Sequence, residues 1–232
     1  MNLIDIQEKL YEKLKPSGWA NVLKTFLLSN DFTIILQELL DQSQSEKHFT
    51  PKIKYLFRAF QECPYDSLNT IIIGQDPYPK AGVADGISFS CSFNTKPQPS
   101  LRFILNAVDE TIYNDNPPPH NLDLKRWSNQ GILMLNTALT VSIGKAGSHV
   151  ELWKPFTRFL FDHLDQQKGL IYVFMGAKAK DWERSISTDD NYKIFVKHPA
   201  SAVYAKQIWD CNDMFNKVNE VLSSNNGHKI NW

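Results

Sequence analysis

Four short apolar runs, separated by stretches of helical periodicity, constrain this chain most. They are Ile71 to Ile73, Ile132 to Leu135 within GILMLN, Gly169 to Met175 (GLIYVFM), and Lys193 to Val196. Runs this short with no polar face read as strands buried on both sides. Strands that alternate with helices assemble into a parallel sheet. The expectation is an α/β fold, a single domain over residues 1–232. Its short, mostly parallel four-stranded sheet is flanked by helices on both sides. Residues 1–48 read as a helical part packed on that core: Leu3, Ile6, Leu10 and Leu14 recur at helical spacing, Pro16-Ser17-Gly18 breaks the pattern, and Trp19–Phe26 and Thr33–Leu40 resume it. Further helices are expected over Lys54–Phe60, from Leu101, over Phe156–Leu164 and over Cys211–Leu222, with Ser100 suited to cap the helix that starts at Leu101.

Composition excludes several classes. Hydrophobic residues make up 42% and charged residues 22%, the balance of a soluble globular protein. No apolar run approaches the roughly 18 residues that a membrane span needs. The opening MNLIDIQEKLYEKL carries acids and lacks a signal-peptide core. Cys63, Cys91 and Cys211 are odd in number and far apart, which argues against a disulfide framework or metal site and for a reducing, cytoplasmic setting. Lys plus Arg equals Asp plus Glu at 25 each, so overall charge gives no help in binding a polyanion. Locally the balance differs: residues 191–209 contain Lys193, Lys197 and Lys206 and no acid.

The ends of the strands carry the chemistry. After Ile73 the chain reads Gly74-Gln75-Asp76-Pro77-Tyr78-Pro79, and each proline biases the residue before it towards an extended conformation. A carboxylate is thereby held at the carboxyl end of a strand, where open α/β sheets place their sites. Physically this is equally a stiff connection with one solvated aspartate. Asn136 ends the second run and His198-Pro199 follows the fourth; alone, each reads as a turn former or a surface residue.

Taken together, the motifs decide between these readings. GQDPYP with Phe89 thirteen residues after Asp76, GILMLNTALTV around Asn136, GSH..LWKPFT from Gly147, KHPASAVYAK with Cys211 thirteen residues after His198, and the closing HKINW occur in that order. From about Phe49 to Trp232 the chain resembles family 1 uracil-DNA glycosylases, with Pro79 in place of the histidine usual there.

The resemblance implies a monofunctional glycosylase, without lyase activity, that flips uracil from DNA and hydrolyses its N-glycosidic bond in base-excision repair. It implies catalytic roles for Asp76, which positions water, and His198, which donates to uracil O2. Gln75, Tyr78, Phe89 and Asn136 would bind the base: backbone N–H groups near Gln75 and Asp76 add to the oxyanion site, Tyr78 stands against C5, Phe89 stacks, and Asn136 offers a donor and an acceptor to O4 and N3–H. His149 reads as structural. Ser100 is implied as a phosphate contact, a role open beside its capping one. No cofactor or metal is implied. A monomer is expected, cytoplasmic or, in a eukaryotic host, nuclear. A DNA-mimicking inhibitor protein is a conceivable partner.

The DNA-gripping positions depart from the pattern. Aligned without gaps on HPSPLS, the wedge leucine falls at Ala202 and two phosphate-contacting serines fall at Ala200 and Val203. A third such serine falls at Ala177. A shift of one residue brings in Ser201, with Val203 or Tyr204 as wedge, and the register stays open. Weaker wedging predicts a preference for single-stranded DNA. The alternative function is a weak or inactive relative that serves as a DNA-binding or replication-associated module.

Overall fold

A computed structural model describes residues 2–45, 48–114, 116–187, 189–205 and 207–232; for Val203, Tyr204 and Asn226 it describes the backbone alone. Three helices come first: α1 (Leu3–Leu14), α2 (Trp19–Leu27) and α3 (Asn30–Gln44). Strand β1 (Phe49–Thr50), α4 (Arg58–Glu62) and β2 (Thr70–Gly74) follow, then α5 (Pro99–Ile112), α6 (Lys125–Ser128), β3 (Ile132–Asn136) and β4 (Val141–Ser142). The last third holds α7 (Val150–Leu164), β5 (Ile171–Met175), α8 (Ala177–Lys180), β6 (Tyr192–Val196), α9 (Ala200–Ala205) and α10 (Met214–Asn226).

The four apolar runs form one parallel sheet in the order β3-β2-β5-β6. Every residue of the two central strands, β2 and β5, is buried, as expected of a parallel sheet covered on both faces, whereas β6 at the edge is partly exposed. Strands β1 and β4 make a separate antiparallel pair. Phe156 of α7 ties the N-terminal helices to the core, with its ring 5.2 Å from Phe26, 5.6 Å from Phe57 and 5.9 Å from Phe60. The HKINW tail closes the far side, where Trp232 lies edge-on to Trp127 and Phe215.

Several element boundaries differ from the sequence reading. Lys54–Phe60 is not one helix: a 3-10 turn (Ile53–Tyr55) precedes α4. The Ala59 N–H donates to the Gly86 carbonyl across the fold instead of within a helix. Helix α7 starts six residues before Phe156, because Pro155 sits exposed in its second turn and removes one N–H donor without breaking the helix. Helix α10 starts at Met214, since Asn212 and Asp213 take left-handed backbone angles.

Ser100 is not a cap. Gln98 holds that position, Pro99 opens α5 where its missing N–H has no helical partner to lose, and Ser100 is the buried second residue. The segment after His198 forms helix α9. Ser201 stands where the family pattern has its second proline, and alanines fill three of the six positions, so nothing resists a helical turn.

Candidate active site

The carboxyl ends of β2, β3 and β6 meet at one cavity of 370 Å³, lined among others by Asp76, Tyr78, Phe89, Asn136, Ser100 and His198. Register does much of the placing. Gly74 pairs with Asn136, so Asp76 leaves β2 beside the amide that ends β3. On the other flank, Gly176 donates its N–H to the Val196 carbonyl at 2.8 Å. A Cβ on Gly176 would lie 2.8 Å from the His198 Cβ, so only glycine lets the histidine approach.

Asp76 is half-buried, and burial pushes its carboxyl above the usual range, partly offset by the N–H that Gly147 donates to Oδ2. Gly147 has φ +77°, a conformation other residues rarely adopt. One carboxylate oxygen is thus held by the backbone, leaving Oδ1 to meet a ligand or water.

His198 is prepared as a neutral donor. Burial lowers its pKa, and the Ala200 N–H donates to Nδ1 at 3.1 Å. An accepting Nδ1 places the hydrogen of the neutral ring on Nε2. The Phe89 ring lies 5.7 Å away, inclined at 45°. Phe89 itself is held at φ +63°, a strained angle of the kind that clusters at functional sites. Its carbonyl accepts the Tyr78 hydroxyl at 3.0 Å, which fixes the tyrosine as a wall. Burial raises the Tyr78 pKa well above that of a free phenol.

Asn136 is oriented by a residue that motif reading passed over. The buried Ser88 hydroxyl donates to its Oδ1 at 2.7 Å, leaving the NH₂ group and one oxygen lone pair for a ligand. Gly74 makes room for this pair, since a Cβ there would lie 2.6 Å from Asn136 Oδ1 and 2.7 Å from Ser88 Oγ. The loop carrying Ser88 and Phe89 is organised by Asp85, fully buried, which accepts from Ile87 N, Ser90 Oγ and Ser92 N. Arg58 bridges Asp85 (3.1 Å) and Asp123 (2.7 Å), so the buried charge is paired. Asp85, Ser88 and Gly147 were all missed; a charged residue amid the apolar VADGISFS run was the one available signal.

The remaining candidates divide. The Gln75 carbonyl accepts from Ala138 N and Thr137 Oγ1, and its side chain lies near Gly147 outside the cavity lining. Ala200 lines the cavity, whereas Ala177 and Ser201 line a separate recess that shares only His198 with it. The Ser201 hydroxyl donates to the His198 carbonyl at 2.7 Å. Ala202 is buried, so nothing projects from the position where a wedge was expected. The side chains of Val203 and Tyr204 lie outside the described residues. His149 is buried in its own network with Thr140, Ser142 and Gln42, away from the cavity. Among the described residues no cluster of His, Cys, Asp and Glu could hold a metal ion.

Known proteins resemble this chain over most of its length. Residues 60–223 match the family model described as "Uracil DNA glycosylase superfamily". A uracil-DNA glycosylase of Aliivibrio salmonicida is 32% identical over 218 residues, covering 93% of this chain and 96% of that one. Uracil-DNA glycosylase 1 of Listeria innocua is 32% identical over 203 residues, covering 87% and 90%. The crystal structure of mimivirus uracil-DNA glycosylase superposes with a TM-score of 0.81 at 25% identity, covering 100% of this chain and 89% of that one. A variant of mimivirus UNG in complex with UGI superposes equally well, with a TM-score of 0.81 at 27% identity, covering 92% and 87%.

Proposed function

The chain belongs to the uracil-DNA glycosylase superfamily and is a DNA glycosylase, and we propose that it excises uracil through Asp76 and His198. The observation that carries this reading is the convergence of Asp76, Tyr78, Phe89, Asn136 and His198 on one cavity of 370 Å³. A module that only bound DNA would not need a half-buried carboxylate and a neutral imidazole lining one cavity.

Uracil would enter after flipping, which costs a few kcal/mol in a duplex. Phe89 stacks on the base, Tyr78 excludes the methyl group of thymine, and Asn136 pairs with O4 and N3–H. Cytosine presents the opposite donor–acceptor pattern and leaves buried polar groups unpaired. As the C1′–N1 bond breaks, its electron pair leaves with uracil and negative charge gathers at O2. The His198 Nε2–H donates there, at the site where charge develops. Asp76 Oδ1 orients the attacking water, whose oxygen bonds C1′; the surplus proton passes to the carboxylate. Backbone N–H groups near Gln75 and Asp76 add to the oxyanion site in this reading.

The grip on DNA differs from the family pattern. Ser100 lines the cavity and is not the cap of α5, which leaves its hydroxyl for a phosphate oxygen. Among the described side chains of α9, the buried Ala202 and the internally bonded Ser201 offer no wedge to part a duplex. We therefore read the substrate as uracil in single-stranded DNA by preference, acted on by a single-domain, cytoplasmic monomer. Three buried free cysteines fit a reducing compartment, and among the described residues no helix is long and apolar enough to cross a membrane. A DNA-mimicking inhibitor that grips this segment would meet α9 in place of a protruding leucine.

The test is uracil release from matched single- and double-stranded oligonucleotides, with His198→Ala alongside. Faster release from the single strand, slowed about a hundredfold or more by the substitution, is expected. Equal rates on both substrates would sink the strand preference, and undiminished release by His198→Ala would sink the assignment of the donor.

A further inference from the structure

A second open cavity, of 780 Å³, lies beside the first and is lined by His48, Lys52, Lys54, Tyr55, Phe93 and Ile143 among others. Ala84 lines both cavities. Gly86, in the wall of the first, packs so closely on Tyr55, in the wall of the second, that an added Cβ would collide with the Tyr55 carbonyl. The turn between them is the partition: Pro79 faces the first cavity, Ala81 and Gly82 the second.

The lining is unusual for a surface that only meets water. Phe93 is 52% exposed and Ile143 42%. The Tyr55 and Phe93 rings stand 5.4 Å apart, and the Lys54 ammonium lies 4.8 Å from the Tyr55 ring centre. Among the described lining residues there is no Asp or Glu, although acids equal bases over the whole chain. An exposed Phe93 and a partly exposed Tyr55 next to ammonium groups, with no carboxylate among the described lining residues, suit a single nucleic-acid strand: bases stack on the rings and phosphates meet the cations.

We propose that this cavity is a second nucleotide subsite, which takes an unpaired base and its phosphate from the strand that carries the flipped uracil. The proposal rests on the glycosylase reading above and deepens it. A base held in a duplex is already stacked and paired, so the subsite rewards single strands independently of any weakness in wedging.

The test is binding of fluorescent oligothymidylate, which contains no uracil, to the full chain and to Phe93→Ala, Phe93→Trp and a Lys52→Ala/Lys54→Ala double variant. Phe93→Ala is expected to weaken single-strand binding about fivefold or more, Phe93→Trp to retain it, and the lysine variant to weaken it and flatten its salt dependence. Abasic spacers on one side of a central uracil should slow release by the unaltered chain and leave Phe93→Ala unaffected. Wild-type binding by Phe93→Ala, or equal spacer effects in both proteins, would overturn the subsite. Oligothymidylate binding needs no glycosidic cleavage, so a chain that binds with Phe93-dependence yet releases no uracil would overturn the functional reading and leave the subsite standing.

Discussion

The strand-end cavity and the helix that follows it, α9, are built on opposite principles. Asp76, Asn136 and His198 are placed by backbone: parallel register, close approaches at Gly74 and Gly176, and the buried Arg58–Asp85 pair beneath the Phe89 loop. Helix α9 is one and a half turns of alanine-rich chain, and its central Ala202 faces inward. In the proposed reading, groups that would handle the base are thus over-determined by the fold, whereas groups that would grip the strand depend on a few side chains. The second can change while the first stays intact.

Substitutions can break or sharpen that contrast. The largest effect is expected from Asp76→Asn, which keeps the shape and an acceptor for the Gly147 N–H but removes the charge. Single-turnover uracil release from a single-stranded oligonucleotide should fall about a thousandfold. The same variant should melt higher than the parent at neutral pH, because burial disfavours the ionised carboxylate that it removes. A lower melting temperature would show that the carboxylate is better solvated than its surroundings suggest.

Ser88→Ala comes next. Loss of the hydroxyl frees the Asn136 amide to turn, so discrimination against cytosine should drop about fivefold to tenfold while thermal stability changes little. A change confined to stability, with discrimination intact, would make Ser88 a mere packing residue.

Ala202→Leu tests the other region. If α9 were a wedge awaiting its side chain, leucine would speed release from duplex DNA. A buried Ala202 instead predicts no gain and an overpacking loss of about 1–3 kcal/mol in chemical denaturation.

The smallest effect is the position of the acid limb of the pH–rate profile. The Asp76 pKa is raised, so the active ionised form is lost as pH falls through a value above the ordinary carboxylate range. His198 is shifted the opposite way, so its neutral form extends to lower pH than that of a free imidazole. A single acid limb that Asp76→Asn abolishes is expected. A basic limb near neutral pH, with activity falling as pH rises and the limb removed by His198→Ala, would mean that the histidine works charged.

Much of this was legible before any coordinates. The four apolar runs carry their own period and length, and each became a strand of the sheet. Asp76, Asn136 and His198, at or two residues beyond those strand ends, stood out through the order of their motifs, and the fold brings all three to one cavity. Ser88 and Gly147 did not stand out, since a small residue announces nothing until a partner 48 or 71 positions away is brought to it. Ser100 was misread as a cap because the serine and Pro99 offer competing starts to one helix, and the proline's fixed φ prevailed.

Sequence alone determined the strand composition, the order of the motifs and the absence of the wedge leucine, because these depend on local periodicity and residue identity. Tertiary structure alone decided the inward turn of Ala202, the tautomer of His198, the orientation of Asn136 and the second cavity beside the first. Each of these hangs on which distant backbone comes within hydrogen-bonding or van der Waals distance. Chain order does not encode that proximity locally; only the packed sheet and its loops create it.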